Sequence, residues 1–133
     1  TNPDPLPDLY LLRSLILYHQ GQDQQSQDDI ARALDRNPRL GSAYRLLGLL
    51  YARQERYQDA LAALNRAIDL EPASGEAYFG RGMIHLRLDQ RQEAVRDWQQ
   101  AEKLLTPRAA FDPDMAQTLN QLRQQISRYS APP

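Results

Sequence analysis

Residues 41–74 read GSAYRLLGLLYARQERYQDALAALNRAIDLEPAS, and two helical stripes fill them. Tyr44, Leu47, Leu50 and Tyr51 recur at steps of three and four, which predicts a helix over about Ser42–Arg53. Gln54–Arg56 is a polar turn. Ala60, Leu61, Leu64, Ala67 and Ile68 recur in the same way and predict a second helix over Tyr57–Leu70. Pro72 cannot continue it, because an interior proline lacks the amide donor and clashes with the preceding turn. Gly48 and Ala60 are small, as two closely crossing helices require. Tyr44, Tyr51 and Leu64 are large enough to fill the space beside them.

The same pattern extends outward at a constant interval. Tyr10, Tyr44 and Tyr78 are 34 apart, as are Ser14, Gly48 and Gly82, and Ala33, Ala67 and Ala101. Ser26, Ala60 and Ala94 share one small position, and Ile30, Leu64 and Trp98 one large apolar position. Pro38 and Pro72 close two repeats, and Pro107 is expected to close the third one residue late. A period of this length marks stacked supersecondary units, none able to bury a core alone. The expected organisation is an extended lead-in over 1–6, three repeats over 7–40, 41–74 and 75–108, a further segment over 109–129, and a tail over 130–133. In that segment Asp112-Pro113 is a helix start, an acceptor followed by a ring pre-set to helical φ. Met115, Leu119, Leu122, Ile126 and Tyr129 then form one stripe over about Pro113–Arg128, opposite a face of Gln117, Gln121, Arg123, Gln124 and Gln125. A terminal repeat would otherwise expose its apolar face, so this reads as a capping helix.

Composition limits the function. The chain has 133 residues, 25% of them charged, with a net charge of −1, so no global field favours nucleic acid or an anionic membrane. Cysteine is absent, which excludes disulfides and thiolate metal sites. No apolar run approaches the roughly 18 residues that span a bilayer, so no direct membrane insertion is expected. His19 and His85 lie on first helices of different repeats with no carboxylate cluster, so neither metal nor other cofactor is expected. His85 reads as a packed histidine. Gly80-Arg81-Gly82 follows no strand and is no nucleotide fingerprint. Arg13 and Arg81 are expected to carry their charges out to water over buried stems. Asp28-Asp29, Glu71 and Glu76 read as solvated faces. No nucleophile with a supporting base is present, so the chain is not expected to be an enzyme.

These residues resemble the tetratricopeptide repeat, whose pattern is an aromatic, a leucine-glycine pair, a tyrosine, an alanine, a large residue, a second alanine and a closing proline. Repeat two matches with Tyr44, Leu47-Gly48, Tyr51, Ala60, Leu64, Ala67 and Pro72. Repeat three gives Tyr78, Gly82, Ala94, Trp98 and Ala101, with Arg81 in place of leucine and His85 in place of tyrosine. Repeat one gives Tyr10, Ser14, Leu17, Ser26, Ile30, Ala33 and Pro38. Organellar RNA-binding repeats fit less well, since their period is longer and this chain is not basic. The resemblance implies an all-α fold: an α-solenoid of three antiparallel helix pairs in a right-handed superhelix, with a C-terminal capping helix. It also implies protein binding, with the first helix of each pair lining a concave groove that takes a peptide or partner helix.

Carried onto this sequence, the family's groove positions give Leu11, Leu15 and Tyr18 in repeat one, Arg45, Leu49 and Arg53 in repeat two, and Phe79, Met83, Leu86 and Arg87 in repeat three. Asp8 and Glu76 fall among them and partly offset the arginines. Exposed contiguous apolar side chains mark interaction sites, and arginine can grip a carboxylate with two parallel hydrogen bonds. The expected partner is another protein, an extended peptide or amphipathic helix with bulky apolar side chains and acidic groups. The carboxylate clamp of the family's chaperone-tail receptors is absent, because Leu11, Leu15, Leu46, Glu76 and Gly80 stand where its Lys, Asn and Arg would be.

Two further readings stand beside the scaffold. One is a homo-oligomerisation module using the same apolar surface. The other is a targeting or regulatory domain of a longer protein, suggested by Thr1 in place of an initiator methionine. Little lysine beside much arginine, leucine and glutamine looks bacterial. On that reading the compartment is bacterial cytoplasm or periplasm, and an assembly factor is a family-level expectation.

Overall fold

A computed structural model describes residues 6–132. The expected lead-in over 1–6 lies outside them except for Leu6. Among the described residues seven helices follow in order: α1 (Pro7–His19), α2 (Asp23–Arg36), α3 (Gly41–Arg53), α4 (Tyr57–Leu70), α5 (Gly75–Arg87), α6 (Arg91–Ala109) and α7 (Pro113–Ser130). No strand occurs among the described residues. The fold is an all-α solenoid of three helix pairs plus a final helix. Its contacts group into an N-terminal body through Leu70, holding α1–α4, and a C-terminal body from Glu71, holding α5–α7.

Each pair turns by one device. Gly21, Glu55 and Asp89 are 34 apart, and all have positive φ, 75°, 60° and 60°. The amide after each donates back five residues: Gln22 to the Leu17 carbonyl (2.9 Å), Arg56 to Tyr51 (2.8 Å) and Gln90 to His85 (2.8 Å). A left-handed residue just past the helix end, with this long return bond, is the Schellman cap. It satisfies otherwise orphaned carbonyls and reverses the chain within three residues. Glu55 and Asp89 adopt a conformation that glycine adopts at lower cost.

In the N-terminal body, Ile30 of α2 packs with Ala43, Leu46 and Leu50 of α3, joining repeat one to repeat two. Gly48 lies against α4; a Cβ there would sit 2.7 Å from Leu64 Cγ. Repeat one uses serines at the matching crossing. Ser14 Oγ donates to the Leu11 carbonyl (2.6 Å) and Ser26 Oγ to the Ser14 carbonyl (2.7 Å), so both hydroxyls are buried and satisfied.

The C-terminal body has Trp98 at its centre, fully buried with Ala94, Ala101, Leu105, Leu119 and Leu122. Asp112 caps α7, accepting from the amides of Asp114 (3.0 Å) and Met115 (3.3 Å). The α7 stripe covers α6 as a cap should. Arg91 at the start of α6 ties down the far end, donating to the carbonyls of Tyr129 (2.8 Å) and Ala131 (2.9 Å). One expectation fails here: Pro107 does not close repeat three but lies inside α6, which runs on to Ala109. The missing proline amide would have served the carbonyl of Lys103, an exposed residue where water is within reach.

Candidate protein-binding site

Six of the ten expected groove residues lie in the N-terminal body. The hydrophobic periodicity of α1 and α3 turns one stripe of each toward the Ile30 cluster. Leu11 and Tyr18 of α1 and Leu49 of α3 are half-buried against that cluster. Leu15 is the more open member, 41% exposed. Leu11, Tyr18 and Leu49 thus pack on one cluster from two first helices, and Leu15 lies on α1 between Leu11 and Tyr18, four residues after the one and three before the other.

The two arginines of α3 behave differently. Arg53 lies with its guanidinium carbon 3.8 Å from the centroid of the Tyr18 ring, donates to the Tyr18 carbonyl (2.8 Å), and forms an ion pair with Asp23. Its charge is matched inside the body. Arg45 is half-buried, with no hydrogen bond or ion pair to another described residue. A half-desolvated guanidinium beside apolar side chains is suited to grip an incoming carboxylate.

The other four residues lie on α5. Phe79, Met83 and Leu86 are half-buried around the Trp98, Leu119 and Leu122 core, so the capping helix shares their surface. Arg87 is exposed. Glu76, expected to be solvated, forms an ion pair with Arg108. His85 is packed as expected: its Nδ1 lies 2.6 Å from Gln90 Oε1 and its Nε2 3.6 Å from Asp97.

Arg13 and Arg81 do not simply carry their charges out to water: each pairs with a buried carboxylate. Arg13 reaches Asp29 with two hydrogen bonds of 2.6 and 2.7 Å, and Arg32 adds a third of 2.8 Å. Asp29 is 1% exposed, not part of a solvated face. The Arg13 hydrogen bonds hold its carboxyl below the ordinary 3.8, against the opposing effect of burial, and Arg32 adds to the lowering. Arg81 repeats the arrangement on Asp97, with two bonds of 2.8 Å. A signal was present in the sequence. Arg13 and Arg81 are two periods apart, Asp29 and Asp97 are two periods apart, and each Asp follows its Arg by 16 residues. Repeat two has Leu47 and Ala63 at both places.

No helix among the described residues is long and apolar enough to cross a membrane. A family model described as the tetratricopeptide repeat matches residues 11–74 and again 45–113. No curated protein matches the chain in sequence. Among solved structures, the first repeat domain of Spaghetti (RPAP3) bound to the HSP90 peptide SRMEEVD is similar at TM-score 0.70, with 18% identity over 91% of this chain and 93% of that one. The TPR2B domain of yeast Sti1, in a complex with pHsp70, is similar at TM-score 0.78, with 16% identity over 92% and 96%. The Yersinia enterocolitica type III secretion translocator chaperone SycD, in a structure described as an alternative dimer, is similar at TM-score 0.82, with 11% identity over 93% and 91%. At these identities the likeness is one of fold.

Proposed function

Because the chain belongs to the tetratricopeptide repeat family, we propose that it is a non-catalytic scaffold that binds a segment of another protein on its first helices. The observations that carry this reading are Leu11, Tyr18 and Leu49 half-buried on one cluster, Leu15 exposed on α1 between Leu11 and Tyr18, and Arg45, four residues before Leu49 on α3, with no partner among the described residues. An extended peptide or amphipathic helix would place bulky apolar side chains on these apolar residues and a carboxylate on Arg45. Arg53 shapes the wall, since Asp23 and the Tyr18 ring already hold its charge. Phe79, Met83, Leu86 and Arg87 on α5 offer a second contact of the same chemistry. Two of the similar structures were solved with chaperone-derived ligands, which supports peptide binding as a use of this fold. The different residues at the clamp positions favour an apolar ligand over a chaperone tail.

The test compares proteins retained by the wild type with those retained by Leu15→Asp and by Arg45→Ala, with helicity confirmed for each. A retained protein is narrowed to a segment and titrated by calorimetry. Leu15→Asp should weaken that segment by about tenfold or more, as loss of an interface anchor does. Arg45→Ala should weaken it less, and not at all once the segment's acidic residue is neutralised. Equal affinity for wild type and both variants would sink the reading.

A further inference from the structure

The covered stripe of α1 has an uncovered counterpart. Leu9 (55% exposed), Leu12 (55%) and Ile16 (51%) lie at i, i+3 and i+7 and form one stripe, extended by Leu6 (67%). Only Leu15 and Phe111 join these four as exposed large apolar side chains among the described residues. The repeat register shows what this stripe is for. One period later the same positions hold Ala43, Leu46 and Leu50, which are buried against Ile30 of α2. Leu9, Leu12 and Ile16 thus occupy stacking positions, with no helix of the body on them.

We infer that the outer stripe of α1 is a dimer interface, taken by the α1 of a second copy running antiparallel. The stripe has its midpoint between residues 12 and 13, so antiparallel pairing sets Leu9 against Ile16 of the other copy and Leu12 beside its equivalent. Such an interface is isologous: one patch serves both copies. Charge fits the same direction. Asp8 lies in the first turn of α1 and His19 in the last. At 100° per residue both fall on the same flank of the stripe. A twofold axis across antiparallel helices keeps that flank on one side, so Asp8 of each copy faces His19 of the other, and the helix dipoles oppose. Parallel pairing would put both Asp8 at one end and both His19 at the other, so no such pair would form. Arg13, on the other flank, is turned to Asp29. This inference does not rest on the peptide-binding reading, whose α1 residues are Leu11, Leu15 and Tyr18 rather than Leu9, Leu12 and Ile16.

Sedimentation equilibrium across a hundredfold range of concentration reads the outcome. The wild type should approach twice 15.3 kDa, and Leu9→Glu/Leu12→Glu/Ile16→Glu should remain at 15.3 kDa with its helicity intact, since these side chains fill no core. The chain has no cysteine, so a single Leu12→Cys should form an oxidised dimer readily, while Asp69→Cys on exposed α4 surface should not. Asp8→Arg should weaken the dimer and adding His19→Glu should restore it. A wild type that stays at 15.3 kDa overturns the inference and leaves the stripe to a different helix. A dimer that survives the triple variant, or that fails to link through Leu12→Cys, overturns it too, because the interface then lies elsewhere.

Discussion

Repeats one and two place opposite chemistries at the same pair of positions. Repeat one holds Arg13 and Asp29 there, and repeat two holds Leu47 and Ala63. Both pairs sit between the two helices of a hairpin in the N-terminal body. In repeat two the position is apolar, with Ala63 buried and Leu47 half-buried. In repeat one the carboxylate is buried and its partner reaches in from water, with Arg13 59% exposed. Repeat three, in the other body, returns to the charged form with Arg81 and Asp97. The lesson is that the pair varies as a unit. A buried carboxylate is tolerated where its partner is supplied and costs heavily where it is not.

The comparison breaks most visibly if one member is moved alone. Ala63→Asp would bury a carboxylate against Leu47, and we expect a loss of about 3 kcal/mol in urea denaturation. Adding Leu47→Arg should recover most of it. No recovery would mean that repeat two differs in more than this pair. The converse belongs to repeat three: Arg81→Leu should cost about 2–3 kcal/mol because Asp97 stays buried, while Arg81→Leu/Asp97→Ala should approach wild-type stability. If the double variant is no better than the single, the pair is not an exchangeable unit.

Acid titration sharpens the same contrast. The folded Asp29 carboxyl holds its proton less tightly than the unfolded one. Its contribution is therefore fully present above the ordinary value of 3.8 and is lost as pH falls below it toward the lowered folded value. A variant carrying the repeat-two residues, Arg13→Leu/Asp29→Ala, should show a flatter fall in stability across that window. An unchanged acid limb would place the acid sensitivity in other carboxylates. The smallest effect lies at the turns. Glu55→Gly gives repeat two the residue that repeat one has at Gly21, and should raise stability by about 0.5 kcal/mol, read as a shift in the urea midpoint. A loss there would mean that the Glu55 side chain contributes more than its left-handed backbone costs.

Much of this was legible in the residues. The stripes of α3 and α4, the Gly48–Leu64 crossing, the Asp112 cap and the apolar side of α7 follow from local spacing, and the structure has them all. Pro107 does not end α6, because a proline near a helix end costs little where water can reach the freed carbonyl. Taken singly, Arg13 and Arg81 are each a charge on a helix with an apolar stripe. Their roles depend on Asp29 and Asp97, which helix pairing brings beside them from 16 residues away. The sequence does not show the state of each residue expected in the groove: Arg45 and Arg53 look alike in sequence, and only one of them is held by Asp23 and Tyr18.

The sequence by itself determined the period, the helix pairs, the cap and the family, because each depends on residues a few positions apart repeating in phase. Only the tertiary structure decided which charges are matched and which apolar stripes are covered. Leu9, Leu12 and Ile16 read like Ala43, Leu46 and Leu50, and the difference between them is whether another described helix lies on top. Burial is a property of the neighbour as much as of the residue, and a helix's own sequence does not contain its neighbour.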